Sequence, residues 1–314
     1  MPVDFTVGIP THNRRETVLL AVASALEQTR QPARICVVAD GCTDGTAEAL
    51  AALGEDRVEV IERPKGRGYG YEHRNEVLER AGDGAVAWLG DDDLWLPDHL
   101  QRAGELLDAG LAAIVNSMAC LVREDGSLLP FGLHWRAPSY RERFFGAENR
   151  TPAGAISHRA DVARAVGGWS TEVERAGDWD LWQRIVRSGA RSEMVLSPTM
   201  LFFQATGREQ SWRDRVAQNA GFLARIRDPA ELARLRAEMA FACAAESHGR
   251  EVALVDANDR AEALERELVA SRSQVERLQA ELAGVLSSAW WRMRRPFEPA
   301  LRLRRRLRAT RKRD

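Results

Sequence analysis

Cysteine is scarce in this chain, and long uncharged runs are missing. The four cysteines, Cys36, Cys42, Cys120 and Cys243, are scattered without a paired spacing. This argues against a disulfide framework or a zinc site and indicates reduced thiols in the cytoplasm. The first four residues are not a basic segment leading into an apolar run, and no stretch of about eighteen residues passes without charge. We therefore expect neither a signal peptide nor a membrane span.

Acidic and basic residues almost cancel, with a formal net charge of -1, but they are unevenly distributed. From Ser287 onward, ten arginines and Lys312 stand against Glu298 and Asp314, so this tail carries +9 and the rest of the chain carries -10. An acidic main part argues against a nucleic-acid surface. No nucleic-acid partner is expected.

The basic tail, residues 287–314, also contains Trp290 and Trp291 beside its arginines. Aromatic and leucine residues interleaved with arginine suit an anionic membrane surface. A disordered solubilising tail and a nucleic-acid contact are the alternatives, and Pro296 and Pro299 would interrupt any long helix. We favour membrane contact, which predicts a cytoplasmic protein that is peripheral at the inner face of the membrane.

With 314 residues and an apolar fraction of 45%, the chain can bury a sizeable core. In its first third, short runs rich in Val, Ile or aromatic residues alternate with segments whose apolar residues recur at helical spacing. Strands are predicted at residues 5–9, 34–39, 58–62 and 85–89, and helices at residues 16–27, 46–53 and 71–80. This alternation predicts an α/β fold whose mostly parallel sheet is flanked by helices in right-handed crossovers.

The loops after the four predicted strands are where chemistry is expected. Ligands bind at the carboxyl ends of strands in open sheets of this kind, so these loops should converge on one cleft. They hold Thr11-His12-Asn13, Asp40-Gly41, residues 66–70 and Asp91-Asp92-Asp93.

Later segments differ in composition. Residues 113–206 have a weaker pattern of mixed strands and loops, with a helix predicted at residues 178–188, and are expected to complete a domain of residues 1–210.

Residues 211–286 are rich in Ala, Arg, Glu and Leu, and from about residue 250 to 286 apolar residues recur at alternating spacings of three and four. This heptad seam predicts a coiled coil that associates with a second copy. Its members are Leu254, Ala257, Ala261, Leu264, Leu268, Ser271, Val275, Leu278, Leu282 and Val285.

Three consecutive carboxylates, Asp91, Asp92 and Asp93, follow the fourth predicted strand. Their mutual repulsion is costly unless a cation is present. Mg²⁺ and Mn²⁺ accept one or two carboxylates together with phosphate oxygens and water. The alternative is a solvated acidic helix start, because Pro97 opens a helix and acidic residues favour that end.

Two further aspartates have both a functional and a structural interpretation. Asp40 ends the second predicted strand, where it could accept hydrogen bonds from a base or ribose or serve only as a turn residue. Asp178 begins an amphipathic helix beside Trp179 and Trp182, where it could act as a base or only cap the helix.

In order and spacing, five motifs resemble family 2 glycosyltransferases of the GT-A fold. The resemblance covers about residues 3–210. The motifs are Val7-Gly8-Ile9-Pro10-Thr11-His12-Asn13-Arg14, residues 39–46 around Asp40-Gly41, His73-Arg74-Asn75, residues 88–97 around Asp91-Asp92-Asp93, and Gly167-Gly168-Trp169 followed by Asp178-Trp179-Asp180-Leu181-Trp182.

The resemblance implies an inverting, non-processive transfer of a sugar from a nucleotide-diphosphate donor to an acceptor hydroxyl. By matching position, Pro10, Thr11, His12, Asp40 and Arg74 would line the nucleotide pocket, and Asp91 would face the ribose. Asp92, with Asp93 as a further candidate, would hold Mn²⁺ or Mg²⁺. Asp178 would deprotonate a glycan or lipid-linked acceptor, in cell-surface polysaccharide or glycolipid synthesis.

The sequence departs from the family pattern at two positions. Gly90 stands where many relatives have the first aspartate of the acidic cluster, and Gly177 precedes the expected base where many have glutamate. The run Lys65-Gly66-Arg67-Gly68-Tyr69-Gly70 is either a flexible loop over the diphosphate or a mobile surface turn.

Three other classes of function have a partial basis in the sequence. A polymerase-type reaction would need a second separated carboxylate and a basic groove, which the acidic main part does not offer. A phosphatase with an aspartate nucleophile in its DxDGT motif is excluded because Cys42 falls at the nucleophile position. The non-enzyme alternative is an inactive nucleotide-sugar-binding scaffold that acts through its coiled coil.

Overall fold

The computed structural model describes residues 2–132, 135, 137–146, 149–203 and 210–287. The described residues fall into two compact units, which divide between residues 247 and 248. Apart from Ser287, the basic tail lies outside the described residues.

Within these ranges, nine strands form one sheet. They are β1 (Phe5–Thr11), β2 (Arg34–Asp40), β3 (Val58–Arg63), β4 (Ala85–Trp88), β5 (Leu94–Trp95), β6 (Ile114–Val122), β7 (Leu128–Phe131), β8 (Ile156–Arg159) and β9 (Ser192–Phe203). The strand order is β3-β2-β1-β4-β8-β6-β9-β5, with β7 paired to β6.

Helices flank the sheet and follow it in sequence. They are α1 (Arg15–Leu26), α2 (Thr46–Ala51), α3 (Tyr71–Arg80), α4 (His99–Asp108), α5 (Pro138–Phe145), α6 (Ala160–Ala165), α7 (Gly177–Arg187), α8 (Gln210–Arg227) and α9 (Pro229–Ser287). The predicted strands and helices of the first hundred residues, and the helix at residues 178–188, all form within two residues of the expected bounds.

The α/β fold expected from the sequence is confirmed. Strands β1 to β4 pair in parallel, with Thr11 opposite Ala39, Asp40 opposite Arg63 and Gly8 opposite Trp88. Their carboxyl ends therefore lie at one edge of the sheet. The second half is mixed, because β8 pairs antiparallel with β4 and β6, whereas β6 and β9 are parallel.

The core follows from the two-residue alternation of side chains along each strand. On β1 and β2, Val7, Ile9 and Val37 face one apolar cluster that also holds buried residues of α1 and α4. Cys36 and Val38 face the opposite cluster, which holds buried residues of α3, α6 and α7. Helices α3 and α7, which carry predicted site residues, thus pack on the same face.

Helix α8 and the start of α9 pack against the far end of the sheet. Phe222 and Leu223 of α8 and Met239 of α9 are buried in a third cluster with Leu94 and Phe203. In the second unit, α9 continues as a helix to Ser287 and includes every position of the predicted heptad seam. Across the described residues, no helix is both long and apolar enough to cross a membrane.

Candidate functional site

The loops after β1 and β2 are tied to each other by hydrogen bonds. The side-chain oxygen of Asn13 accepts the Thr43 backbone N–H at 2.7 Å, and Asp44 accepts the Arg15 backbone N–H at 3.0 Å. Asn13 has a positive φ of 53°, which asparagine tolerates better than most residues. These bonds fix the two loops that carry the predicted nucleotide-binding residues.

Asp40, at the end of β2, is buried and already has partners. Its carboxylate pairs with the Lys65 ammonium and accepts the Gly66 backbone N–H at 2.6 Å. The ring nitrogen Nδ1 of His12 lies 2.6 Å from the Asp40 main-chain carbonyl oxygen. Pro10 and Thr11 end β1 beside this strand. The predicted nucleotide-binding residues of β1 and β2 therefore come together.

The loop of residues 64–70 folds over Asp40. A Cβ atom on Gly70, which has a positive φ of 64°, would lie 2.5 Å from an Asp40 carboxylate oxygen. A Cβ atom on Gly68 would lie 2.8 Å from the Glu174 carbonyl oxygen, so the loop reaches the segment before α7. Glycines at these positions allow the loop to approach both closely.

Asp91 and Asp92 are neutralised by two arginines. One terminal nitrogen of Arg14 lies 2.9 Å from Asp91 Oδ1 and 3.1 Å from Asp92 Oδ2. Arg215 of α8 donates to the same Asp92 oxygen, and Asn219 donates to the Asp92 main-chain carbonyl at 2.8 Å. Two carboxylates thus face two guanidiniums.

Asp93 has different surroundings from its two neighbours. It is buried, and Oδ1 accepts the Phe203 backbone N–H at 3.1 Å. Burial and the charge of Asp92 raise its pKa well above the ordinary value. A Cβ atom on Gly90 would lie 2.5 Å from Asp93 Oδ2, so the glycine at this position gives Asp93 the space it occupies.

Asp91 has an unusual pKa. Burial and the neighbouring Asp92 raise the pKa to about 6, against the lowering effect of Arg14. Desolvation and a like charge both disfavour ionisation of a carboxyl. Asp91 therefore gains its full negative charge only above about pH 6.

Arg74 of α3 is close enough to Asp40, Asp91 and Asp178 for their charges to act on it. Its guanidinium carbon is 4.7 Å from the ring centroids of both Tyr71 and Trp169. Burial lowers its pKa, and negative charge at Asp178, Asp91 and Asp40 opposes that effect. Its Nε atom is buried without a hydrogen-bond partner in the structure. A buried donor without a partner, on a guanidinium that three carboxylates influence, indicates a binding position for a polar or anionic ligand.

Asn75 holds Trp169 in place. Its side-chain amide donates to the Trp169 carbonyl at 3.0 Å and accepts the Trp169 backbone N–H at 2.8 Å. A Cβ atom on Gly168 would lie 2.4 Å from the Asn75 oxygen, and Gly168 has a positive φ of 66°. The His73-Arg74-Asn75 and Gly167-Gly168-Trp169 motifs are thus two halves of one contact.

Asp178 lies in the first turn of α7, facing the Arg74 side of the site. Burial raises its pKa, while the Trp179 backbone N–H and the Arg74 charge lower it. No side chain of the described residues forms a salt bridge or hydrogen bond with its carboxylate. A half-buried carboxylate with a raised pKa and no side-chain partner among these residues suits a general base.

Gly177 is explained by Tyr71. A Cβ atom on Gly177 would lie 2.7 Å from the Tyr71 ring, which stacks on Trp169 with ring centroids 5.6 Å apart. The ring occupies the space that a side chain at position 177 would need. Tyr71 therefore joins Gly177, Trp169 and Arg74 into one packed group.

We expect Gly177→Ala to destabilise the fold by about 1–3 kcal/mol, because the added methyl group must displace a buried, stacked ring. Thermal unfolding would measure the loss. Gly221→Ala is the matched control: Gly221 lies in helix α8, a Cβ atom added there would meet no atom within 4 Å, and its substitution should not destabilise. Equal stability of the two variants would contradict this account of Gly177.

The sequence-predicted residues occupy two adjoining groups. His12, Asp40, Asp91 and Asp92 lie at the carboxyl ends of β1, β2 and β4, and Arg74 connects them electrostatically to Asp178. Asp93 is directed toward β9 instead. Sequence reasoning missed the roles of Arg14, Tyr71 and Arg215. Arg14 lies within a recognised motif, but nothing in the sequence connects Arg215 to a residue 123 positions earlier.

The nine-stranded sheet, with carboxylates at the ends of its parallel strands, defines a glycosyltransferase fold of the GT-A type. The S. aureus TarS fragment 1–349, solved in complex with UDP-GlcNAc, superimposes with a TM-score of 0.55 and 18% identity over 66% of this chain and 60% of that one. Full TarS gives a TM-score of 0.52 at 15% identity, over 71% of this chain and 42% of its own. At this identity the similarity concerns the fold.

The chain belongs to glycosyl transferase family 2, whose profile matches residues 6–164. Chondroitin synthase of Pasteurella multocida strain Pm70 is 28% identical over 191 residues, which is 59% of this chain and 19% of that protein. Succinoglycan biosynthesis protein ExoO of Rhizobium meliloti is 33% identical over 126 residues, 40% of this chain and 36% of ExoO. Putative teichuronic acid biosynthesis glycosyltransferase TuaG of Bacillus subtilis is 30% identical over 131 residues, 41% of this chain and 52% of TuaG. The chain therefore spans about a fifth to a half of these relatives.

Proposed function

We propose that this chain transfers a glycosyl unit from a nucleoside diphosphate sugar to an acceptor hydroxyl, by one displacement with inversion at the anomeric carbon. The position of Arg74 carries the proposal. Its guanidinium, whose Nε atom is buried, is within electrostatic reach of Asp40 on the nucleotide side, Asp91 beside the acidic pair, and Asp178 on the base side. A donor that contacts all three would have its anomeric carbon near Asp178.

On the donor side, the nucleotide would bind along the ends of β1 and β2. Asp40 supplies a buried carboxylate that can accept hydrogen bonds from a base, and Pro10, Thr11 and His12 flank it. Asp91 would accept from the ribose hydroxyls. This arrangement follows the general rule that nucleotides bind at the carboxyl ends of parallel strands.

The metal of the proposal is Mn²⁺ or Mg²⁺, held by Asp92. No cluster of three or more His, Cys, Asp or Glu in the described part of the chain is arranged to hold a metal ion. One or two carboxylates suffice for Mg²⁺ when phosphates and water supply the other ligands. Asp92 fits this requirement, because both arginines bond to Oδ2 rather than to Oδ1. When bound, the cation would offset the charge that develops on the diphosphate.

Asp178 would take the proton from the acceptor hydroxyl as that oxygen attacks the sugar. Its raised pKa makes it a stronger base than an ordinary aspartate, and Arg74 keeps part of the population ionised. The hydroxyl and the departing diphosphate would lie on opposite sides of the anomeric carbon. A single base is enough for this displacement.

The proposed setting is assembly of a cell-surface polysaccharide or glycolipid. The names of chondroitin synthase, ExoO and TuaG support it, and a glycan or lipid-linked acceptor would fit it. The basic tail would hold the protein peripherally on an anionic membrane at its cytoplasmic face. Binding of the full chain to anionic but not neutral vesicles would test the tail, and glycosylation of small soluble acceptors alone would contradict this setting.

A panel of nucleotide sugars tests the proposed reaction. Purified protein would be given each sugar with Mn²⁺ or with chelator, and thermal stabilisation and released nucleoside diphosphate would be recorded. We expect one donor to give a metal-dependent shift and turnover. Metal-dependent binding without turnover, in the presence of varied acceptors, would favour the inactive scaffold.

We further propose that the heptad seam of α9 pairs two copies of the chain. Leu264, Leu268 and Val275 are all at least half exposed in the single chain. We expect Leu268→Glu to shift the full-length protein from dimer or larger species to monomer in light scattering, because a charge at a seam position opposes burial. Val269→Glu is the matched control, since Val269 is similarly exposed but lies off the seam. A monomeric wild type, or equal effects of both substitutions, would contradict the coiled coil.

A further inference from the structure

Helix α8 contributes a side chain to the acidic pair, although it lies outside the matched family region. Arg215 is only 7% exposed, and its guanidinium donates to Asp92 Oδ2. The helix is fixed by the buried side chains of Phe222 and Leu223 and by the Asn219 bond to Asp92. Arg215 is therefore presented to the site from a rigid element.

The energetics of this ion pair favour a role beyond stability. Buried ion pairs are often no more stabilising than apolar residues of similar size, because both charges lose their hydration. Here Asp92 Oδ2 is shared by Arg14 and Arg215, and Arg14 also serves Asp91. Any ligand or cation that engages Asp92 competes with these guanidiniums for it.

The phosphate oxygens of the donor would be a second partner for a guanidinium that leaves Asp92. Its planar fork matches phosphate oxygens bidentately, which an ammonium group does not. The diphosphate also gains negative charge as its bond to the sugar breaks, so a nearby cation stabilises the transition state more than the bound donor.

We propose that Arg215 exchanges Asp92 for the diphosphate of the donor, and so contributes to recognition of the leaving group. This inference rests on the proposed function. Arg215 pairs with Asp92 in the structure and would contact the diphosphate when the donor binds. Arg14 remains with Asp91.

Calorimetric titration of the full chain with nucleotides tests the exchange. UDP, GDP and dTDP would be titrated with Mn²⁺ present, and whichever binds would be compared with its monophosphate. In Arg215→Gln we expect the dissociation constant for the diphosphate to rise roughly 10- to 100-fold, the range for losing a charge-assisted hydrogen bond. The constant for the monophosphate should change less than about threefold, since it lacks the second phosphate.

Two further variants separate the shape of the guanidinium from its charge and control for changes elsewhere on the helix. Arg215→Lys keeps the charge and the ion pair but lacks the fork, so it should fold and still lose several-fold in diphosphate affinity. Arg227→Gln is the matched control on the same helix, because Arg227 is exposed and pairs only at the surface with Glu27. It should leave both constants unchanged.

The outcomes separate this inference from the proposed function. Wild-type protein that binds no nucleoside diphosphate would overturn both. Wild-type binding with an unchanged diphosphate constant in Arg215→Gln would overturn the role of Arg215 alone. Equal losses for diphosphate and monophosphate would also overturn it, because they would show that Arg215 only maintains the shape of the site.

Discussion

Replacing Asp178 by asparagine is expected to lower the rate of glycosyl transfer by about 10²- to 10⁴-fold, the usual contribution of a positioned general base. Asparagine keeps the shape of the side chain but cannot accept the acceptor proton. Donor affinity should stay close to that of the wild type, because Asp178 is assigned to the acceptor side. Single-turnover rates and donor titrations on the same preparation would measure both quantities.

Stability provides the control for this variant. Burial raises the pKa of Asp178, so folding favours its protonated form. The stability from this group is present below its unfolded pKa and is lost as pH rises through the folded pKa. Asparagine carries no charge, so Asp178→Asn should be at least as stable as the wild type at neutral pH. A destabilised variant, or one with full activity, would contradict the assignment.

The same raised pKa gives a pH dependence. The carboxylate is the active form of a base, so the transfer rate should fall as pH is lowered through the raised pKa of Asp178, above the ordinary range for aspartate. Asp91, with a pKa raised to about 6, should lose its charge in the acidic part of this range and weaken donor binding as well. A rate profile flat down to the ordinary pKa of aspartate would be inconsistent with both.

Asp92→Asn is expected to lower kcat/KM by about 10²-fold or more, the typical cost of losing one electrostatic contact to the leaving group. It should also remove the stabilisation of donor binding by Mn²⁺, because the amide is a far weaker ligand than a carboxylate. Donor affinity would be measured once with Mn²⁺ and once with chelator. The two affinities should be equal in the variant and should differ in the wild type.

Asp93→Asn is the matched control for the acidic run. Asp93 accepts the Phe203 backbone N–H and lies in the interior, and an asparagine oxygen can accept the same bond. Metal dependence should therefore persist in Asp93→Asn. If Mn²⁺ no longer affected donor affinity in Asp93→Asn but still did so in Asp92→Asn, the assignment of the two positions would be reversed.

The first half of the fold was predictable because its signals are local. Short continuous apolar runs mark β1 to β4, and helical spacing marks the helices between them. Parallel pairing then places Asp40 and Asp91 at one edge. The second half was less predictable, since β8 and β6 pair antiparallel and β6 with β9 in parallel across long separations. Polar residues such as Asn116 and Ser117 interrupt the apolar run of β6, and nothing local indicates which distant strand it pairs with.

The candidate site shows the same division. Motif residues such as Asp92 and Asp178 could be assigned by type and order, but their partners come from distant segments. Tyr71 explains Gly177, and Asp93 explains Gly90, only once the turns have folded back on each other. These contacts depend on where backbones approach closely, which spacing along the chain does not encode.

The ion pair between Lys65 and Asp40 lies at the position proposed for the nucleotide base. A base that donates to Asp40 as proposed would compete with Lys65 and the Gly66 backbone N–H, so binding would depend on the fraction of molecules in which these contacts are broken. The apparent dissociation constant is then the intrinsic one divided by that fraction, and an open population of about one in ten weakens binding about tenfold. Substitutions in residues 64–70 that weaken the contacts to Asp40 would therefore change the apparent donor affinity through this equilibrium, in addition to any contact that the loop makes with the donor.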